Sequence, residues 1–290
     1  MKREITTKIL ITGSEGQLGR SLMKISSLYP DFYFYFTDVN EMDITNDISV
    51  RKVFNELQPH YCINSAAYTA VDKAESDHEL CYKINVKGPE LLAKYCGINK
   101  TKIIHISTDY VYNPTDNEII TENSPTTPNN FYGKTKLEGD LNIAKLLTDY
   151  IIIRTSWLYS EFGNNFVKTI IKLAGVKEEL NVVNDQTGSP TYASDLAVAI
   201  MQIIENSANQ SGIYNYTNEG FITWYEFAKE IIELKSLKCK VKPVPTSEFP
   251  TPASRPTNSK LSKNKILADY NIKTTDWKKS LKYCIEILTD

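Results

Sequence analysis

Short runs of β-branched and aromatic residues alternate along the chain with longer stretches whose apolar residues recur every three or four positions. The short runs predict strands at Lys8 to Thr12, Tyr33 to Thr37, Tyr61 to Ser65, Lys102 to Ser107, Tyr150 to Thr155, Leu180 to Asp185 and Gly212 to Thr217. Helical period falls between them, near Gln17 to Leu28, Val50 to Leu57, Lys73 to Tyr95, Phe131 to Leu147 and Asp195 to Glu205. This alternation predicts an α/β fold, a doubly wound parallel sheet with helices on both faces. After Thr217 the pattern changes. One helix with Thr223 as its cap ("TWYEFAKEIIEL") leads into "KPVPTSEFPTPASRPTNS", which holds five of the 12 prolines, and a further helix begins near Asp276. The expected division is a larger domain, 1–157 and 182–222, and a smaller, discontinuous C-terminal one, 158–181 and 223–290.

Composition narrows the partners. Apolar residues make up 41% of the 290, enough for a sizeable core, and Lys+Arg 33 against Asp+Glu 35 gives a net charge of -2. Such a balance gives no electrostatic reason to expect nucleic acid or an anionic membrane, so a small molecule is the expected partner. Cys62, Cys81, Cys96, Cys239 and Cys284 are odd in number and widely spaced, which points to reduced thiols rather than disulfides or a zinc site. His60, His78 and His105 also lack metal-ligand spacing, and His105 in its apolar run reads as a satisfied core imidazole. The opening "MKREITTK" is polar and Ile9 to Ile11 is too short an apolar run for a signal peptide or span, so a cytoplasmic location is expected.

The first predicted strand runs straight into "TGSEGQLGRSL", where Gly13, Gly16 and Gly19 precede a helix. Glycines in that place let the backbone turn tightly and approach a pyrophosphate, while the helix start offers free amides to it. The second strand ends at Asp38, where a dinucleotide site sets a carboxylate against the adenosine ribose hydroxyls. A carboxylate repels a 2'-phosphate, so of NADPH or NADH, Asp38 leans toward NADH. Asp43 and Ile44 in "EMDITN" are candidates to flank the adenine, with an N-cap role for a neighbouring polar residue equally open.

Ligands of a doubly wound fold collect at the carboxyl ends of its strands. There the sequence places Ala66, Ala67, Tyr68 and Thr69, the small alanines letting a cofactor lie against the backbone and the other two facing the reacting end. It also places Ser107, Thr108, Asp109 and Tyr110 after the fourth strand and Trp157 after the fifth. Tyr132 and Lys136, in "FYGKTKLEGD", are four residues apart and emerge on one helical face. A tyrosine, a lysine and a strand-end hydroxyl suit ketone reduction, because the carbonyl oxygen gains negative charge as hydride arrives and then needs a proton. Lys136 would favour the ionised phenol and hold the nicotinamide ribose, and Thr108 would polarise the carbonyl.

With these motifs, and with "DITN", "NSAAYTAVDKAE", "STDYVY", "RTSWLY", "GNNFVKTI", "DQTGSPTYASDLA" and "RPTNSKL" in order, the chain resembles the extended short-chain dehydrogenase/reductase family over nearly its full length. The "AAYTAVDKAE" and "DQTGSPT" blocks are similar to the branch that reduces the 4-keto group of dTDP-4-dehydro-L-rhamnose, a sugar donor step for surface polysaccharide. The resemblance implies a nucleotide-sugar substrate and NADPH or NADH. It implies Tyr132 as proton donor, Lys136 as its partner and Thr108 as the third member of the catalytic set. Gly16, Gln17, Leu18, Asp38, Asp43, Ile44 and Ala67 to Thr69 match cofactor-binding positions, and Thr108, Asp109 and Trp157 match sugar-binding ones. Members often carry an arginine after the acid, whereas Val39 follows Asp38 here. Some members hold magnesium at a dimer contact through a glutamate whose place is taken here by Ser21, so no metal is expected and a homodimer is left open. A 4,6-dehydratase would show Thr-Asp-Glu where this chain has Thr108, Asp109 and Tyr110; a 4-epimerase and a non-catalytic cofactor-binding subunit share the fold and stay open.

Overall fold

The computed structural model describes residues 7–114, 117–206 and 210–288. Its centre is a sheet of six strands: β1 (Thr7–Thr12), β2 (Phe32–Thr37), β3 (Tyr61–Asn64), β4 (Lys102–Thr108), β5 (Tyr150–Thr155) and β6 (Gly212–Asn215). All pair in parallel, in the order β6-β5-β4-β3-β1-β2. The continuous apolar runs are explained by burial on both faces. Ile9 and Ile11 of β1 and Ile151 and Ile153 of β5 join one cluster, with Leu18, Leu22, Leu196 and Ile200 from the helices Gln17–Ile25 and Ala193–Glu205. Leu10 and Ile152, between them in sequence, join the opposite cluster with Phe54, Leu92 and Ile143. Helices Asp47–Leu57, Gly88–Asn99 and Phe131–Leu146 supply that second layer.

Two predicted elements come out differently. The strand expected at Leu180 to Asp185 forms as Glu179–Val183 but leaves the central sheet and pairs in parallel with Lys240–Val244. Its residues alternate between exposed and buried, the pattern of a sheet with one wet face. The helix expected over Lys73 to Tyr95 is broken into Val71–Ala74, His78–Tyr82, a π-helical turn at Lys83–Lys87 and Gly88–Asn99. Pro89 has no N–H to give the carbonyl of Asn85, which interrupts the regular ladder.

A third apolar cluster lies outside the sheet. It gathers Tyr159, Val167, Ile170, Leu180 and Val182 with Ile222, Phe227, Ile231, Trp277 and Leu281. Thr223 caps the helix Trp224–Leu234, as expected, with a reciprocal capping box to Glu226, and the helix expected near Asp276 forms as Trp277–Ile287 with Asp276 as its cap. All five cysteines are free and buried. Among the described residues no helix is long and apolar enough to cross a membrane; of the polar opening segment, residues 1–6 lie outside the described ones.

Candidate active site

Three clefts meet at the carboxyl ends of the strands. The middle one, about 490 Å³, is lined by Gly16, Gln17, Leu18, Ala67 and Thr69 on one side and by Thr108, Asp109, Tyr110, Tyr132, Lys136 and Trp157 on the other. Gly16 and Ala67 also line a cleft of about 370 Å³ with Gly13, Asp38, Asp43, Ile44 and Ala66. Tyr110 is shared with the third, about 710 Å³, whose walls include Asp72, Phe166, Trp224 and Arg255. The expected cofactor, catalytic and sugar positions therefore converge, with two exceptions.

Gly19 and Tyr68 do not reach the lining. A Cβ on Gly19 would sit 2.4 Å from the carbonyl of Gly13, so this glycine serves helix-on-turn packing. Tyr68, expected to face the reacting end, buries its ring; its hydroxyl donates to Asp77 at 3.1 Å and its backbone N–H to Asn85 Oδ1 at 2.9 Å. The amide of Asn85 provides a better buried partner than the cleft does, and it pins the backbone of the Ala66 to Thr69 stretch.

The glycine turn fits a dinucleotide. Gly13 adopts φ +65, and a Cβ there would lie 2.7 Å from the backbone of Ala66. Gly16 is the N-cap of the first helix and brings no side chain to its amides, leaving the positive helix end open to the cleft. Asp38 lies at the far side, its carboxylate accepting the backbone N–H groups of Glu15 (3.0 Å) and Val39 (2.7 Å). Asp43 Oδ1 is engaged by the backbone and hydroxyl of Thr45, and it is Asn46 that caps the following helix. Ser21 turns its hydroxyl back onto the carbonyl of Gln17 at 2.9 Å.

At the opposite wall, Asn130 caps the Phe131–Leu146 helix and so fixes the turn that carries Tyr132. Burial holds the Tyr132 phenol above its ordinary pKa, and a hydrogen bond with the Thr108 hydroxyl pulls only partly the other way. Burial thus favours the protonated phenol, the state a proton donor needs. Lys136 is 1% exposed, donates to the carbonyl of Ile106 at 2.7 Å, and is lowered by burial to about 8. Asp109 is buried and pushed up to about 6, although Thr108 and Ser259 hydroxyls donate to it at 3.0 and 2.5 Å. Trp157 takes φ 49, unusual for a bulky residue, and stacks on Trp224 with ring centroids 3.7 Å apart.

Several residues here were not singled out from sequence. Trp224 stands in the predicted helix 67 residues from Trp157, and nothing local announces the stack. Arg255, in the proline-dense stretch, makes a bidentate ion pair with Asp72 at 2.8 and 2.7 Å. Asp140 did leave a signal: it follows Lys136 by four residues, on the same helical face.

The family model for the RmlD substrate binding domain matches residues 7–289. The chain belongs to that family. Among curated relatives, the dTDP-4-dehydrorhamnose reductase of Aggregatibacter actinomycetemcomitans is 39% identical over 285 residues, covering 95% of this chain and 97% of the relative. A crystal structure of a dTDP-4-dehydrorhamnose reductase from Clostridium acetobutylicum matches with a TM-score of 0.92 at 44% identity, over 97% of this chain and 99% of that one. The Bacillus anthracis enzyme of the same name, in complex with NADP, matches with a TM-score of 0.93 at 39% identity and the same coverage. These solved structures share the fold of this chain over nearly their whole length.

Proposed function

We propose that this chain reduces the 4-keto group of dTDP-4-dehydro-L-rhamnose to the alcohol of dTDP-L-rhamnose, using a reduced nicotinamide dinucleotide. The observation that carries the reading is the joint presence of Thr108, Tyr132 and Lys136 on the wall of one cleft whose other wall is an uncapped helix start. A bound reduced nicotinamide supplies a hydride to the carbonyl carbon and is left oxidised. The Thr108 hydroxyl, turning its one O–H from Asp109 to the substrate, donates a hydrogen bond to the carbonyl oxygen as charge grows there, and Tyr132 gives that oxygen its phenolic proton, becoming a tyrosinate that takes a proton back from solvent. Lys136 holds the nicotinamide ribose and stabilises the tyrosinate electrostatically. Gly13, Gly16, Gln17 and Leu18 carry the pyrophosphate and Asp38 the adenosine ribose, while Asp109, Tyr110 and Trp157 orient the sugar. The division into a dinucleotide-binding domain, 1–157 and 182–222, and a substrate domain, 158–181 and 223–290, belongs to the same proposal, and the separate apolar cluster around Phe227 supports it.

Mixing the protein with dTDP-4-dehydro-L-rhamnose and following the absorbance of the reduced cofactor tests the reading, with NMR identifying the product. Tyr132→Phe is expected to lower kcat by about 10²–10⁴-fold with little change in cofactor Kd. Near-normal turnover of that variant would overturn the role of the phenol. For the cofactor, kcat/KM is expected to be higher with NADH than with NADPH, and Asp38→Ser should reverse the order; an NADPH preference in the unmodified chain refutes the ribose assignment.

A further inference from the structure

Behind Lys136 a row of buried polar groups crosses the sheet. Thr12, Asn64 and His105 are register partners on β1, β3 and β4, and all three are at most 1% exposed. The Thr12 hydroxyl donates to Asn64 Oδ1 at 2.7 Å, so the Asn64 amide N–H₂ faces His105 Nδ1 at 2.9 Å. Nδ1 thus accepts and Nε2 carries the ring proton; Nε2 lies 3.7 Å from Asp140 Oδ1, toward which it turns that N–H, and 3.3 Å from Lys136 Nζ, a fellow donor that is left to the carbonyl of Ile106 and the cleft. Asp140, 1% exposed, accepts at Oδ2 from the Ser107 hydroxyl (2.9 Å) and from Arg154 Nε (3.3 Å), while its Oδ1 has no hydrogen-bond partner. Arg154 is in turn tied to the Tyr112 hydroxyl at 2.7 Å.

A buried carboxylate oxygen left without a donor is expensive unless a charge nearby compensates it. Burial raises the pKa of Asp140, and two cations, Arg154 and Lys136, draw it back toward the ionised form, while burial keeps His105 neutral, well below its ordinary range. The other titratable groups facing Lys136 are Tyr132 on its own helix and Cys81 from the His78–Tyr82 helix, whose thiol burial keeps protonated. Among the described residues, Asp140 is the carboxylate whose charge raises the pKa of Lys136 against the burial that lowers it, and the ammonium depends on it.

We propose that Asp140 and His105 are positioning residues for the reaction: Asp140 keeps Lys136 charged inside the protein, and His105, braced by Asn64 and Thr12, directs its ammonium toward the cleft. The idea rests on the catalytic reading of Lys136 given above. With an anion of Asp140 removed, the lysine loses its proton at lower pH, and the charged form that serves the tyrosinate and the ribose is lost with it.

The test is the pH profile of kcat/KM with the dTDP-4-keto sugar at saturating reduced cofactor. Asp140→Asn should move the alkaline limb toward acid by at least one pH unit, a loss that grows to about tenfold above the original limb and is recovered on acidification. Asp140→Glu, which keeps the charge, should leave the limb in place. His105→Phe should lower kcat across the profile and leave the affinity for the nucleotide sugar unchanged. Should Asp140→Asn fail to fold because Arg154 is stranded, Asp140→Asn/Arg154→Met removes the pair together and is expected to show a smaller shift in the same direction, because a repelling cation is lost with the anion. An Asp140→Asn profile lowered uniformly, its limb unmoved, overturns the proposal and assigns Asp140 a purely structural role. Lys136→Ala separates the layers: if it retains turnover and limb, the catalytic reading itself fails, and if it abolishes turnover beside an unmoved Asp140→Asn limb, only the present inference does.

Discussion

Asp109 sits between the hydroxyls of Thr108 and Ser259 on the wall of the cleft, buried to 3% exposure. Burial raises its pKa from 3.8 to about 6, so the folded protein binds a proton more tightly there than the unfolded chain does. Stability therefore falls as pH rises from about 4 to about 6, and at neutral pH the charge is a standing penalty of roughly 2 pKa units, on the order of 3 kcal/mol. Asp109→Asn, which keeps the shape and removes the charge, is expected to raise the melting temperature at pH 7.5 and to lose that advantage near pH 4. Thermal unfolding at both pH values checks it; an equal gain at both would mean that titration is not the cause. The same variant should turn over poorly, because an amide no longer accepts from Thr108 in the same way. Stability and activity are opposed at this position, as they often are where a charge is kept dry for use.

The Phe131–Leu146 helix shows how an element delivers such groups. Tyr132 and Lys136 reach the cleft because the helix lies very close to its neighbours, and two glycines permit that. A Cβ on Gly133 would lie 2.3 Å from the carbonyl of Tyr110, and one on Gly139 2.3 Å from the carbonyl of Asn85. Gly133→Ala must push the helix away from the loop bearing Asp109 and Tyr110; overpacking of this kind costs about 1–3 kcal/mol. A fall in kcat/KM of at least tenfold should accompany it, measured beside the melting temperature, whereas unchanged kinetics would show that the helix tolerates the shift. This helix was legible in sequence, as were the six strands of the sheet, because their apolar patterns are strong; Gly13 marks the end of the first strand and Asn130 the start of the helix. The partner of Glu179–Val183 was not, since a periodic run says strand without saying which strand it joins. Its alternation of wet and dry positions was the missed signal, for the strands buried on both faces read as unbroken apolar runs. Nor was the row Thr12, Asn64, His105 legible: its members are 52 and 41 residues apart, and only the register of three crossovers aligns them.

On the scale of the whole molecule, the mouth of the large cleft is bridged by Asp72, from the segment after β3, and Arg255, from the proline-dense stretch. Asp72 has 42% of its side chain exposed, so the pair contributes less than about 1 kcal/mol to stability. Its expected effect is on the shape of the entrance: Arg255→Ala should raise KM for the nucleotide sugar several-fold while leaving cofactor affinity and melting temperature nearly unchanged. Loss of more than a few degrees in melting temperature would instead make it a structural clamp. Ile266 and Tyr270 complete the cluster under the sheet, whereas Trp277, Leu281 and Cys284, a few residues on, complete the one around Phe227. Both apolar clusters thus wait on one short stretch near residue 270, and during synthesis neither can be closed until that stretch has emerged from the ribosome. The nascent chain must carry a nearly finished sheet with the place of Ile266 and Tyr270 on one apolar side still unsealed, which makes this interval one in which a chaperone has apolar surface to shield.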